Sequence, residues 1–165
     1  MVRSGEMGEN TVVKVGELVP AVTLADESGA QVALRDVEGG FVLYFYPKDM
    51  TPGCTTEACD FEAQRATFEA SGYQIFGVSP DSAASHVKFK AKHSLNFKLL
   101  VDEDHAAAEA FGVWREKKNY GKAYMGIVRA TFVIGPDHRI EAIYDNVRVA
   151  GHVERVFAAL GASAG

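Results

Sequence analysis

Phe41-Val42-Leu43-Tyr44-Phe45-Tyr46, opened by Gly39-Gly40 and closed by Pro47, is the longest apolar run in the chain. Six residues is strand length, and an unbroken run rather than an alternating one marks a central strand covered on both faces. Directly after it, Pro52 to Ala70 reads as a helix. It has no Pro or Gly beyond Gly53, and Ala58, Phe61 and Phe68 recur at helical spacing. Tyr73 to Ser79 is the next strand, and Pro80-Asp81-Ser82 announces a helix over Ser82 to Lys92. Strand then alternates with helix: Phe97 to Val101 extended, Asp104 to Phe111 helical and closed by Gly112.

Outward from there the pattern changes. Ala21 to Leu24 and Gln31 to Leu34 flank Asp26-Glu27-Ser28-Gly29 and predict an N-terminal β-hairpin. Trp114 to Gly126 reads as a loop carrying a solvated basic patch, Arg115, Lys117 and Lys118. Trp114 itself reads as core or rim. Ala130 to Ile134 and Arg139 to Tyr144 flank Gly135-Pro136-Asp137-His138, a hairpin turn. Val149 to Leu160 is a last amphipathic helix, and residues 1–12 and 161–165 are expected to be flexible tails. Strands joined by helices imply parallel pairing, while the last hairpin must be antiparallel. The expectation is an α/β protein with a mixed central sheet flanked by helices, one domain over residues 1–165.

Composition narrows the functions. With 47 % apolar residues the 165-residue chain builds its core without disulfide staples or a structural metal. A net charge of −5 argues against a nucleic-acid footprint or a polybasic membrane-surface binder. No run is long enough to cross a membrane. Met1 to Val15 lacks the apolar block of a secretory signal, so a cytoplasmic protein is expected. No glycine fingerprint for a nucleotide follows any strand.

The two cysteines, Cys54 and Cys59, carry the chemistry. Five scattered histidines leave them without partners for zinc, and no metal or cofactor is expected. Thr51 reads as an N-cap and Pro52 as the first helical residue, which puts Cys54 in the first turn. Free backbone N–H groups and the helix dipole favour a thiolate there. In an intact helix, residues five apart lie ~7.5 Å apart along the axis and ~140° apart in azimuth, so the Cα atoms stand roughly 8–9 Å apart. That exceeds the ~7 Å reach of a disulfide, so a Cys54–Cys59 bond requires the first turns to unwind. The same geometry turns Cys54 toward the core stripe and Cys59 away from it. Position and spacing favour redox chemistry without naming the oxidant. Taken alone, Glu57 reads as a solvated first-turn acid, Arg129 as a strand-edge charge and Pro47 as a strand terminator.

Tyr46-Pro47 with Thr51 and Cys54 matches the Pro-x-x-x-Thr-x-x-Cys motif, and the sequence resembles a peroxiredoxin. Cys59 five residues on, Phe111-Gly112-Val113-Trp114, and Gly126-Ile127 with Arg129 and Thr131 to Ile134 resemble the bacterioferritin comigratory protein or peroxiredoxin Q subgroup. The resemblance covers roughly residues 14–160. It implies a thioredoxin-like fold and a thiol-dependent peroxidase acting on hydrogen peroxide and organic hydroperoxides. Cys54 would be the peroxidatic thiol, passing through a sulfenic acid, and Cys59 the resolving one, giving an intramolecular disulfide. Thr51 would hydrogen-bond the peroxide, Pro47 shield the pocket, Arg129 stabilise the developing charge and Glu57 orient that arginine. Thioredoxin, or else glutaredoxin, would be the reductant, acting on a monomer or weak homodimer. The alternatives are a thioredoxin-type oxidoreductase, which expects Cys-x-x-Cys where four residues intervene here, and a non-enzymatic redox sensor.

Overall fold

The computed structural model describes residues 12–164, so the tail expected over residues 1–12 falls almost wholly outside the described residues. Strand β3 (Gly40–Phe45) is the apolar run of the sequence, buried at every position. It lies between β4 (Tyr73–Ser79), parallel to it, and β8 (Ala130–Ile134), antiparallel to it. Its side chains alternate between two cores, as the period of two requires. Phe41, Leu43 and Phe45 enter one core with α3 (Ala106–Phe111), while Val42 and Tyr44 enter the other with α1 (Pro52–Ala70) and α4 (His152–Ala164). Helix α2 (Ala83–His93) adds Phe89 to that second core.

The sheet continues from β4 to β5 (Lys98–Val101), parallel, and then to the N-terminal hairpin β1 (Thr23–Asp26) and β2 (Gln31–Ala33). At the other edge β9 (Ile140–Tyr144) pairs with β8. The order is β2-β1-β5-β4-β3-β8-β9. The predicted hairpins and the parallel β3-β4-β5 core are all present. Among the described residues, no helix is long and apolar enough to cross a membrane.

Three expectations are corrected. Trp114 to Gly126 is not a loop but a separate hairpin, β6 (Trp114–Asn119) and β7 (Lys122–Ile127). Tyr120 and Gly121 both take positive φ, 53° and 79°, which is what a two-residue turn of the right twist demands. The charged residues of β6 concealed this in the sequence. Strand β8, expected to follow a helix and so to run parallel, instead follows the β6–β7 hairpin and runs antiparallel to β3, so the helical-crossover rule for parallel strands does not apply to it. Finally, α4 does not stop at Leu160 but runs to Ala164; one glycine costs a helix only about 1 kcal/mol, and Ala162 and Ala164 favour it.

Candidate active site

Helix α1 begins where the end of β3 delivers the chain. Thr51 occupies the N-cap with extended backbone and Pro52 the first helical position, as expected. The cap bond itself is not made: Thr51 Oγ1 donates to the Lys48 carbonyl at 2.9 Å. The first helical hydrogen bond is Thr55 N to Thr51 O, 2.8 Å, so the amides of Gly53 and Cys54 precede it and have no helical carbonyl to bond. Pro47 is half-buried at the strand end.

Both thiols are free. Cys54 is 1 % exposed within the core that holds Ala58, Phe61 and Phe68, and Cys59 is exposed, as the helix azimuth requires. Burial, with Asp60 and Glu62 beside it, pushes the Cys59 thiol up.

Arg129, between β7 and β8, is brought from 75 residues away to the start of α1. A Cβ on Gly53 would stand 3.4 Å from its Nη2, so the guanidinium lies against the first turn. Nη2 is 3.4 Å from Cys54 Sγ, and Nη1 is 2.5 Å from Glu57 Oε1. Glu57 is therefore not the solvated acid that its position alone suggested; its side chain is fully buried. Glu57 follows Cys54 by three residues, so the two share a helix face and one guanidinium serves both. Burial raises the Glu57 carboxyl to about 7, against the lowering effect of Arg129. Among the described residues its Oε2 finds no partner, and neither does the buried hydroxyl of Tyr44.

The basic patch is also corrected. Arg115 donates to the Gly112 carbonyl and to Asp145, each at 2.8 Å. Lys117 Nζ donates to the Ile127 carbonyl at 2.8 Å, within electrostatic reach of Arg129 and Cys54, and burial lowers its pKa. Only Lys118 keeps the exposure foreseen for it. Trp114 is half-buried and stacks on His105, centroids 3.7 Å apart.

Sequence reasoning missed a buried network that holds the approach to α1. Asp49 accepts from Tyr46 Oη at 2.6 Å, Ser85 Oγ at 2.8 Å and His86 Nδ1 at 2.7 Å, while its amide donates to Asp81 at 2.8 Å. His86 Nε2 faces the Leu100 carbonyl at 2.9 Å. A carbonyl and a carboxylate are both acceptors, so the site favours an imidazolium, which donates at both nitrogens. Burial opposes that charge, but Asp49 and the Leu100 carbonyl hold the His86 pKa above its usual value. Asp49, Asp81 and His86 bring ligand atoms within 4.8 Å of one another. A histidine three positions before the core residue Phe89 was the one signal in the sequence.

The sequence profile of the AhpC/TSA family matches residues 15–143. A Bacillus subtilis protein named Peroxiredoxin Bcp is 51 % identical over 142 residues, 86 % of this chain and 90 % of that one. The chain belongs to the AhpC/TSA family, in its Bcp/peroxiredoxin Q branch. The structure of Xanthomonas campestris peroxiredoxin Q superposes with a TM-score of 0.86 at 43 % identity, covering 94 % of this chain and 99 % of that one. A second Xanthomonas campestris structure has a TM-score of 0.86 at 42 % identity, over 94 % of this chain and 99 % of that one. It is of a bacterioferritin comigratory protein described in terms of alkyl peroxide reduction, with trapped intermediate and ligand. The thioredoxin-like fold is thus that of the peroxiredoxins, and the chain is a peroxiredoxin enzyme of the thiol peroxidase class.

Proposed function

We propose that this peroxiredoxin reduces hydrogen peroxide and organic hydroperoxides through Cys54, with Cys59 as its resolving thiol and thioredoxin as its reductant. The observation that carries the reading is the Arg129 guanidinium set between Cys54 Sγ and Glu57. Cys54 attacks as thiolate, a sulfur–oxygen bond forms as the peroxide bond breaks, and the alkoxide leaves with a proton to become an alcohol. Negative charge grows on the peroxide oxygens, where donors fixed in advance count most. Arg129 and the amides of Gly53 and Cys54 are those donors. The Thr51 hydroxyl hydrogen is engaged by Lys48, which leaves the oxygen free to accept from the peroxide O–H. Glu57 orients Arg129, and Pro47 keeps water from the pocket.

Resolution follows when Cys59 attacks the sulfenic sulfur, releasing water and forming the Cys54–Cys59 disulfide. With α1 intact the two thiols stand on different faces, one buried and one exposed, so the first turns unwind for this step. An external dithiol then restores both thiols. The organic substrate class is supported by the alkyl peroxide reduction of the Xanthomonas relative. An intramolecular disulfide makes a one-domain monomer sufficient, and thiols that must be returned to the reduced state suit the cytoplasm.

The test is intact-mass spectrometry after rapid mixing of the reduced protein with one equivalent of hydrogen peroxide. Wild type is expected to lose two hydrogens, Cys59→Ser to gain one oxygen and Cys54→Ser to stay unchanged. Slow and equal oxidation of both cysteines would overturn the reading.

A further inference from the structure

We propose that Glu57 is the proton reservoir of the first chemical step, holding a proton while Cys54 is a thiolate and giving it up as the sulfenic acid forms. This rests on the peroxidatic role of Cys54 and adds to the orienting role of Glu57. The geometry supplies the reason. Cys54 Sγ and Glu57 Oε1 contact the two Nη atoms of one guanidinium, and both side chains are buried. A carboxylate offers about four acceptor sites. Among the described residues Glu57 receives donors from Arg129 only, and its Oε2 has no partner. A bare, buried carboxylate oxygen is costly; a protonated carboxyl in that place is much less so.

The surroundings leave one cation for two acids. From α1, Asp60 faces Glu57 with a like charge. From β3, the buried Tyr44 phenol carries no charge, its pKa pushed well above the usual value by burial and by Glu57 and Cys54. From α4, His152 stays neutral, its pKa lowered to about 4 by burial, Arg155 and Arg129. From β6, the Lys117 ammonium is engaged by the Ile127 carbonyl. Arg129 is thus, among the described residues, the cation in contact with both groups. One positive charge accommodates one negative charge comfortably in a buried site, so thiolate and carboxylate exclude one another. The elevation of Glu57 to about 7 accords with this.

The step balances. Cys54 thiolate, Glu57 carboxylic acid and ROOH become Cys54 sulfenic acid, Glu57 carboxylate and ROH. The sulfur loses two electrons to the peroxide bond, and the Glu57 proton ends on the alkoxide oxygen. Arg129 is then left to the Glu57 carboxylate, because the sulfenic acid is neutral. A glutamine would accept from Arg129 equally well but hold no such proton, which separates the reservoir role from orientation.

The experiment uses Cys59→Ser, in which the sulfenic acid persists, and the same protein carrying Glu57→Gln. Each is mixed with hydrogen peroxide near neutral pH in weak buffer, with a pH indicator and quantified sulfenic acid. The Gln variant is expected to take up roughly a full proton per sulfenic acid, and the Glu57 protein less than half as much. Infrared difference spectra of the Glu57 protein are expected to lose a protonated-carboxyl band on oxidation, a readout that needs no substitution at Glu57. Sulfenic acid formed with equal proton uptake in both, or with no carboxyl band lost, would overturn the reservoir alone. If no sulfenic acid formed on Cys54, the peroxidatic role would fall, and this inference with it.

Discussion

On one side of Thr51, the loop over residues 47–50 is tied down by Asp49, which takes hydrogen bonds from Tyr46, Ser85 and His86 and sends its amide to Asp81. On the other side, the first turns of α1 hold Cys54 and Glu57 against one arginine, with Glu57 Oε2 and the Tyr44 hydroxyl unpartnered among the described residues. Each region holds a buried carboxyl group, Asp49 in the loop and Glu57 in the helix. The difference is in satisfaction: both carboxylate oxygens of Asp49 are bonded, whereas among the described residues Glu57 Oε2 finds no partner. Local opening draws on the least satisfied part of a structure. The arrangement sets a fully paired carboxylate and an incompletely paired one within about a dozen residues of each other, and the proposed unwinding would draw on the second.

The strongest way to break this contrast is to remove one half of the Asp49–His86 pair. His86→Leu leaves Asp49 buried without its cation, and the expected loss is about 3–5 kcal/mol in urea unfolding. A loss under ~1 kcal/mol would mean that the network holds nothing in place. On the α1 side the cost falls on rate instead. Arg129→Met is expected to slow sulfenic acid formation about 10²- to 10³-fold, measured by stopped flow, since it removes a donor aimed at the developing charge.

The smallest effect, and the finest test, is in pH. Glu57 is raised to about 7 in the folded protein from an ordinary 4.5. Its contribution to stability is therefore full at low pH and lost as pH rises through that window. His152, lowered from 6.5 to about 4, has the opposite sign: stability is lost as pH falls from 6.5 toward 4. The two oppose one another between about pH 4.5 and 6.5, and single variants separate them. Glu57→Gln is expected to become less stable on acidification across that range, and His152→Gln more stable, by about 1–3 kcal/mol in urea titrations. The same slope in both variants would remove these two groups as the cause.

Much of the fold was legible because its deciding signals are local. The apolar run of β3, the Thr51-Pro52 helix start and the Gly112 helix end each act within a few residues, and Gly112 takes the left-handed conformation expected of it. The opposed faces of Cys54 and Cys59 followed from helix azimuth alone. The β6–β7 hairpin was not legible, because β6 is charged and its turn has a tyrosine where a small residue is usual.

The sequence by itself determined the two-faced central strand, the parallel β3-β4-β5 core, the position of Cys54 at a helix start and the placing of Cys54 and Cys59 on different faces of that helix. Those depend on chain periodicity and on distances along one helix. Tertiary structure alone decided that Glu57 is buried, that Arg129 crosses 72 residues to pair with it, and that Asp49 and His86 hold the loop leading into α1. Charge and burial are properties of neighbours in space. A glutamate on a first turn reads the same in sequence whether it faces water or a guanidinium, and only packing β8 beside β3 brings Arg129 to it.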